Sequence, residues 1–90
     1  MTKDIFLLGS TGSIGETTLK VIKKDKSNFN VKLLSTNKNA DKIYKQAIQF
    51  GAKKVVIYDK KSYINNFKKF KEKKIKIFPT IKEALKKNKK

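Results

Sequence analysis

Four short apolar runs recur along this chain, and each is followed by a segment of helical period. The runs are Asp4 to Leu8, Val31 to Leu34, Lys54 to Tyr58 and Ile75 to Phe78, and the second can extend back to Phe29. Strands that alternate with helices need crossover connections, so the pattern predicts a parallel sheet with helices on its faces. The expected order is β-α-β-α-β-α-β-α. This is an α/β, Rossmann-like, doubly wound sheet of about four strands, and an incomplete domain. The first run is almost continuously apolar and is expected to be buried on both faces. The fourth alternates and is expected to be more exposed than the others.

The helices carry their own signals. Residues 13–24 read as the first helix, with Ile14, Thr18, Val21 and Ile22 on one stripe. Ser13 and Glu16 match the S-x-x-E capping box, and Lys23 and Lys24 suit the negative end of the helix dipole. Asn39 is placed to cap a second helix with an apolar face of Ile43, Tyr44, Ala47, Ile48 and Phe50, and Gly51 to end it. Asp59 opens a third helix carrying Tyr63, Ile64, Phe67 and Phe70. Thr80-Ile81-Lys82-Glu83 is a second capping box, leading to Ala84 and Leu85. Lys86 to Lys90 is a lysine-rich tail, read as the exposed end of the last helix or a point of truncation.

Ninety residues make one small domain or a piece of a larger one. The absence of Cys and His excludes disulfides, thiolate metal sites, the usual zinc ligand and the usual neutral-pH general base. The apolar run at residues 5–8 is too short for a signal peptide, and no run reaches the roughly 20 apolar residues of a membrane span. The cytoplasm is the expected compartment and no membrane partner is expected. The net charge of +17 would attract nucleic acid or anionic lipid. Every basic residue is Lys, however, and Arg is the preferred residue for bidentate base and phosphate contacts. The lysines are also spread along the chain, so a solvated, compositionally biased surface is favoured over a nucleic-acid interface.

The turn after the first run is Gly9-Ser10-Thr11-Gly12-Ser13-Ile14-Gly15. Strand, glycine turn and helix together can hold a dinucleotide pyrophosphate on backbone N–H groups and a helix N-terminus. Gly9 would allow the tight turn, Gly12 would let the backbone approach the pyrophosphate, and Gly15 would let the helix pack close to the sheet. Thr11 and Ser13 would offer hydroxyl and N–H groups to phosphate oxygens. The spacing is G-x-x-G-x-x-G rather than G-x-G-x-x-G, and no Lys-Ser or Lys-Thr pair follows at P-loop spacing.

The end of the second strand should meet the cofactor ribose. NAD sites usually place a carboxylate there for the 2′-hydroxyl. This chain has Ser35-Thr36-Asn37-Lys38-Asn39, without a carboxylate. Lys38 would attract a 2′-phosphate, so NADPH is predicted over NADH.

The stretch from Ile5 to Gly15, with Thr18-Leu19 following, resembles the start of the 1-deoxy-D-xylulose 5-phosphate reductoisomerase family. Leu33 to Asn39 resembles that family's second strand and cofactor loop, and Gln46 to Phe50 and Val55 to Ile57 fit in register. The resemblance implies cofactor contacts at Thr11, Gly12, Ser13 and Ile14 and at Asn37, Lys38 and Asn39, with Asn37 standing where the family often has Gly. It implies an oxidoreductase of the non-mevalonate isoprenoid pathway. Such an enzyme isomerises deoxyxylulose phosphate and reduces it with NADPH to 2-C-methyl-D-erythritol 4-phosphate, using Mg or Mn, as a homodimer. The family is several times longer than this chain. Its metal-binding carboxylates and substrate site lie beyond the cofactor segment, so residues 1–90 are expected to be the N-terminal part of the NADPH-binding domain, with no catalytic or metal residues and no activity alone. The scattered Asp4, Glu16, Asp25, Asp41, Asp59, Glu72 and Glu83 read as caps and surface charges. Another Rossmann oxidoreductase, a stand-alone nucleotide-binding module and a basic nucleic-acid-binding protein remain as alternatives.

Overall fold

A computed structural model describes residues 2–86, and the tail at 87–90 lies outside the described residues. The strands are β1 (Lys3–Leu7), β2 (Phe29–Thr36), β3 (Lys54–Ile57) and β4 (Lys76–Phe78). They alternate with α1 (Ser13–Lys24), α2 (Ala40–Phe50), α3 (Lys60–Glu72) and α4 (Ile81–Leu85), and a short 3-10 turn at Lys26–Asn28 precedes β2. All pairings are parallel and the spatial order is β1-β2-β3-β4, so the Rossmann-like α/β alternation read from the sequence is the observed fold.

Two layers cover the sheet. On one face Leu19 and Ile22 of α1, Ile43 and Ala47 of α2 and Phe70 of α3 pack on Val31, Leu34, Val55, Ile57 and Ile77. On the other face Ala84 and Ile81 of α4 lie over Leu33, Val56 and Phe78. The winding therefore changes sides after β4. A bulge sets the phase of β2. Ile5 pairs with Val31 while Phe6 pairs with Leu33, which leaves Lys32 as an extra residue. The extra residue turns Leu34, rather than Leu33, to the same side as Val31.

Several local expectations need correction. Among the described residues β1 lies at an edge of the sheet and is not buried on both faces: Phe6 is 51% exposed, and the next residue but one, Leu8, is also exposed. It is β1, not β4, that is the more exposed, because Ile75 and Ile77 are both buried under α3. On α1 the buried residues are Gly15, Leu19 and Ile22, while Ile14 and Val21 face outward. The small residue Gly15, not the large Ile14, makes the closest approach to the protein. On α3 Phe70 alone is fully buried, edge-on to Tyr44 with ring centroids 5.1 Å apart, and Ile64 and Phe67 are exposed. Asn39, Asp59 and Thr80 cap α2, α3 and α4 through their side chains, and Gly51 ends α2 in the left-handed conformation at φ 70°.

Candidate functional site

Parallel strands all point their carboxyl ends to one edge of the sheet, and the glycine turn and the end of β2 meet there. Leu7 pairs with Leu34, so residues 8–12 leave β1 beside Ser35 and Thr36. Gly9 has φ 71°, a left-handed conformation that glycine adopts without strain, and the chain reverses at that point. Gly12 N–H closes the turn onto Gly9 O at 3.2 Å, and Glu16 N–H then starts the helix ladder on Gly12 O at 2.9 Å.

The start of α1 differs from the expected capping box. Gly12 is the N-cap and Ser13 is the first helical residue, and no side chain caps this end. Glu16 does not reach back to Ser13; it forms an ion pair with Lys42 of α2. The backbone N–H groups of Ser13, Ile14 and Gly15 precede the first intrahelical bond and lack acceptors within the helix. Gly12, Ser13 and Ile14 are exposed, and the helix dipole adds partial positive charge at the same point.

The glycines divide the work. A Cβ on Gly15 would lie 2.4 Å from Gly9 O and 2.6 Å from Ser10 Cα. Gly15 therefore lets the helix pack on the turn backbone, not on the sheet as expected from sequence. A Cβ on Gly12 would meet only Gly9 O, at 3.7 Å, an ordinary contact. The protein itself does not require glycine at 12.

A buried polar lattice supports the turn. Gly9 N–H donates to Ser35 Oγ at 2.9 Å and Ser10 N–H to Ser35 O at 2.9 Å. The hydroxyls of Thr11 and Thr36 are 2.7 Å apart. Ser10 Oγ donates to Gln46 Oε1 at 2.8 Å, and Gln46 Nε2 donates to Ser10 O at 3.0 Å. Ser10, Ser35, Thr36 and Gln46 are all buried. Sequence reading gives Ser10 and Gln46 no role and has the hydroxyls of Ser35 and Thr36 available to a 2′-phosphate; both are instead buried and bonded to the turn. The available signal was Gln46, a polar residue on the same α2 stripe as Ile43 and Ala47.

Asn37, Lys38 and Asn39 follow β2 and are exposed on the same edge of the sheet. Asn37 O accepts from Asp59 N–H at 2.8 Å, which ties this loop to the end of β3. Asn39 Oδ1 accepts from Lys42 N–H at 3.3 Å, so the side chain caps α2. Hydrogen bonds from the Ser62 backbone and hydroxyl hold the Asp59 carboxyl below its ordinary pKa, and Lys38 and Lys61 add to this. The structure thus brings Gly9, Thr11, Gly12, Ser13, Ile14 and Gly15 into one turn, joined through Ser35 and Thr36 to Asn37, Lys38 and Asn39. Among the described residues no group of three or more His, Cys, Asp or Glu could hold a metal ion. No helix among them is long and apolar enough to cross a membrane.

Comparison with known proteins bears on the same segment. The sequence profile of the 1-deoxy-D-xylulose 5-phosphate reductoisomerase family matches residues 5–88. The reductoisomerase of Pelagibacter ubique is 45% identical over 76 residues, which is 84% of this chain and 20% of that protein. That of Paraburkholderia xenovorans is 42% identical over 59 residues, 66% of this chain and 15% of that protein. The structure of the Zymomonas mobilis reductoisomerase in complex with NADPH superimposes with a TM-score of 0.79 at 27% identity, over 86% of this chain and 20% of the other. This chain therefore spans about a fifth of the length of such relatives. With a strand, glycine turn and helix at one end and a match running through nearly all of its length, the chain belongs to the 1-deoxy-D-xylulose 5-phosphate reductoisomerase family.

Proposed function

We propose that this chain is the N-terminal part of an NADPH-binding domain and holds the cofactor by its phosphates. The observation that carries the reading is the uncapped start of α1, where the first-turn N–H groups have no acceptor within the helix, Gly12, Ser13 and Ile14 are exposed, and no internal contact requires glycine at 12. Gly9, Thr11, Gly12, Ser13, Ile14 and Gly15 form the pyrophosphate seat. Lys38, flanked by Asn37 and Asn39, attracts the 2′-phosphate and sets the preference for NADPH over NADH. The Zymomonas mobilis relative was solved with NADPH, which supports the choice of cofactor.

In the complete enzyme the cofactor supplies hydride for reduction after isomerisation of 1-deoxy-D-xylulose 5-phosphate, giving 2-C-methyl-D-erythritol 4-phosphate. A relative's complex with magnesium supports a metal in that enzyme. The described residues offer no ligand set for a metal, so no metal step is assigned to this segment. Homodimeric assembly and a cytoplasmic setting of the complete enzyme belong to the same proposal.

The test is Gly12→Asp. Its Cβ meets no protein atom closer than 3.7 Å, so the fold should persist while a carboxylate occupies the seat. The chain contains no Trp, and nicotinamide fluorescence can follow the titration without indole background. The wild type should bind NADPH and the variant should not. Undiminished binding by a folded Gly12→Asp chain would reject the proposal.

A further inference from the structure

We infer that Gln46 is a positioning residue for the cofactor seat, acting through Ser10; this rests on the NADPH reading above. Three observations lead to it. Gln46 is buried on α2 beside Ile43 and Ala47, where an apolar residue would serve packing better. Both ends of its carboxamide are used on a single residue: Oε1 accepts from Ser10 Oγ at 2.8 Å, and Nε2 donates to Ser10 O at 3.0 Å. Ser10 lies in the turn that supplies the seat, 36 residues away in sequence.

The chemistry fits a clamp. A carboxamide is a neutral group that can accept a hydrogen bond from the hydroxyl at its oxygen and donate one to the carbonyl at its nitrogen. Ser10 is thereby fixed on the α2 side, while its N–H is fixed by Ser35 O on the β2 side at 2.9 Å. Ser10 in turn bears the close approach of Gly15, whose Cα direction leaves no room for a Cβ beside Ser10 Cα. Gln46 therefore sets where α1 begins relative to the sheet, and with it the direction of the Ser13 to Gly15 N–H groups. Its side chain lies along the cleft between α1 and α2, whose charged members are Glu16, Lys20, Lys23, Lys42 and Lys45.

The test compares the wild-type chain with Gln46→Met, a side chain of similar length and no hydrogen bonds. Amide hydrogen exchange is measured at Ser10 and Thr11 and, as an internal reference, at Val55 and Val56 of β3. NADPH and NADH are titrated in parallel. The expected result is about a tenfold faster exchange at Ser10 with β3 unchanged, and about a tenfold weaker affinity for both cofactors, since both share the pyrophosphate. A residue that only stabilised the fold would speed exchange in β3 by the same factor. If Gln46→Met does not fold, Ser10→Ala removes the hydroxyl half of the clamp and should give the same pattern at smaller amplitude. Wild-type binding with an unchanged variant, in exchange or in affinity, overturns the inference alone. A wild-type chain that binds no NADPH overturns the cofactor reading and this inference with it.

Discussion

The contact between α1 and the glycine turn predicts the outcome of Gly15→Ala. The added Cβ would sit 2.4 Å from Gly9 O, 2.6 Å from Ser10 Cα and 2.8 Å from Ser10 C. All three are backbone atoms, so no side chain can swing aside. Restoring van der Waals contact requires the first turn of α1 to move out by about 1 Å. That movement is opposed by the Gly12 N–H to Gly9 O bond and by the Ser10 N–H to Ser35 O bond. With backbone at all three contacts the cost falls in the upper part of the overpacking range, about 2–3 kcal/mol, and the better helix propensity of Ala offsets about 1 kcal/mol of it. A net loss of about 1–2 kcal/mol should lower the midpoint of thermal unfolding by about 5–10 °C in a chain this small. Far-ultraviolet circular dichroism would record it. Gly12→Ala is the control, because its Cβ makes only an ordinary contact at 3.7 Å. It should cost less stability than Gly15→Ala yet weaken NADPH binding. A Gly15→Ala chain as stable as the wild type, or less affected than Gly12→Ala, would refute the packing argument.

Two further perturbations address the loop after β2 and the end of β3. Lys38→Ala should weaken NADPH binding by about tenfold and leave NADH binding unchanged, because only the 2′-phosphate is addressed; equal losses for both cofactors in fluorescence titrations would count against the assignment. Asp59 caps α3 by accepting from Ser62 N–H and Ser62 Oγ, each at 3.0 Å, and its pKa is lowered in the fold by those bonds first and by Lys38 and Lys61 after them. A lowered folded pKa stabilises the fold above the unfolded value and stops doing so as pH falls through the folded one. Asp59→Ala should therefore unfold at a lower temperature than the wild type at neutral pH, and the difference should close below about pH 4; a gap of constant size down to about pH 2 would contradict the cap.

Much of the fold was legible because the signals were local. Asn39, Asp59, Thr80 and Gly51 each act within one turn of their own helix, and each stands where its residue type predicts. The errors arose where tertiary placement decides. Ile5-Phe6-Leu7-Leu8 reads as an interior strand, but among the described residues it lies at an edge of the sheet, and no local pattern reports strand order. The bulge at Lys32 re-phases β2 without a glycine or proline to announce it. Ser13 and Glu16 have the letters of a capping box, yet Gly12 takes the cap and Lys42 takes the glutamate. At the candidate site Lys38 stands exposed just after β2 where the sequence puts it, and the glycine turn was readable from its spacing. The lattice of Ser10, Ser35, Thr36 and Gln46 was not, because its members meet only when β2 and α2 have docked.

That lattice has a bearing on how the chain matures. The glycine turn is complete in sequence by residue 15, but the groups that fix it lie 25 to 36 residues downstream. During synthesis the motif leaves the ribosome long before anything can hold it in shape. The native shape of the turn is thus withheld until the polypeptide has emerged through Gln46, and a nascent chain shorter than that carries the signature without its supports.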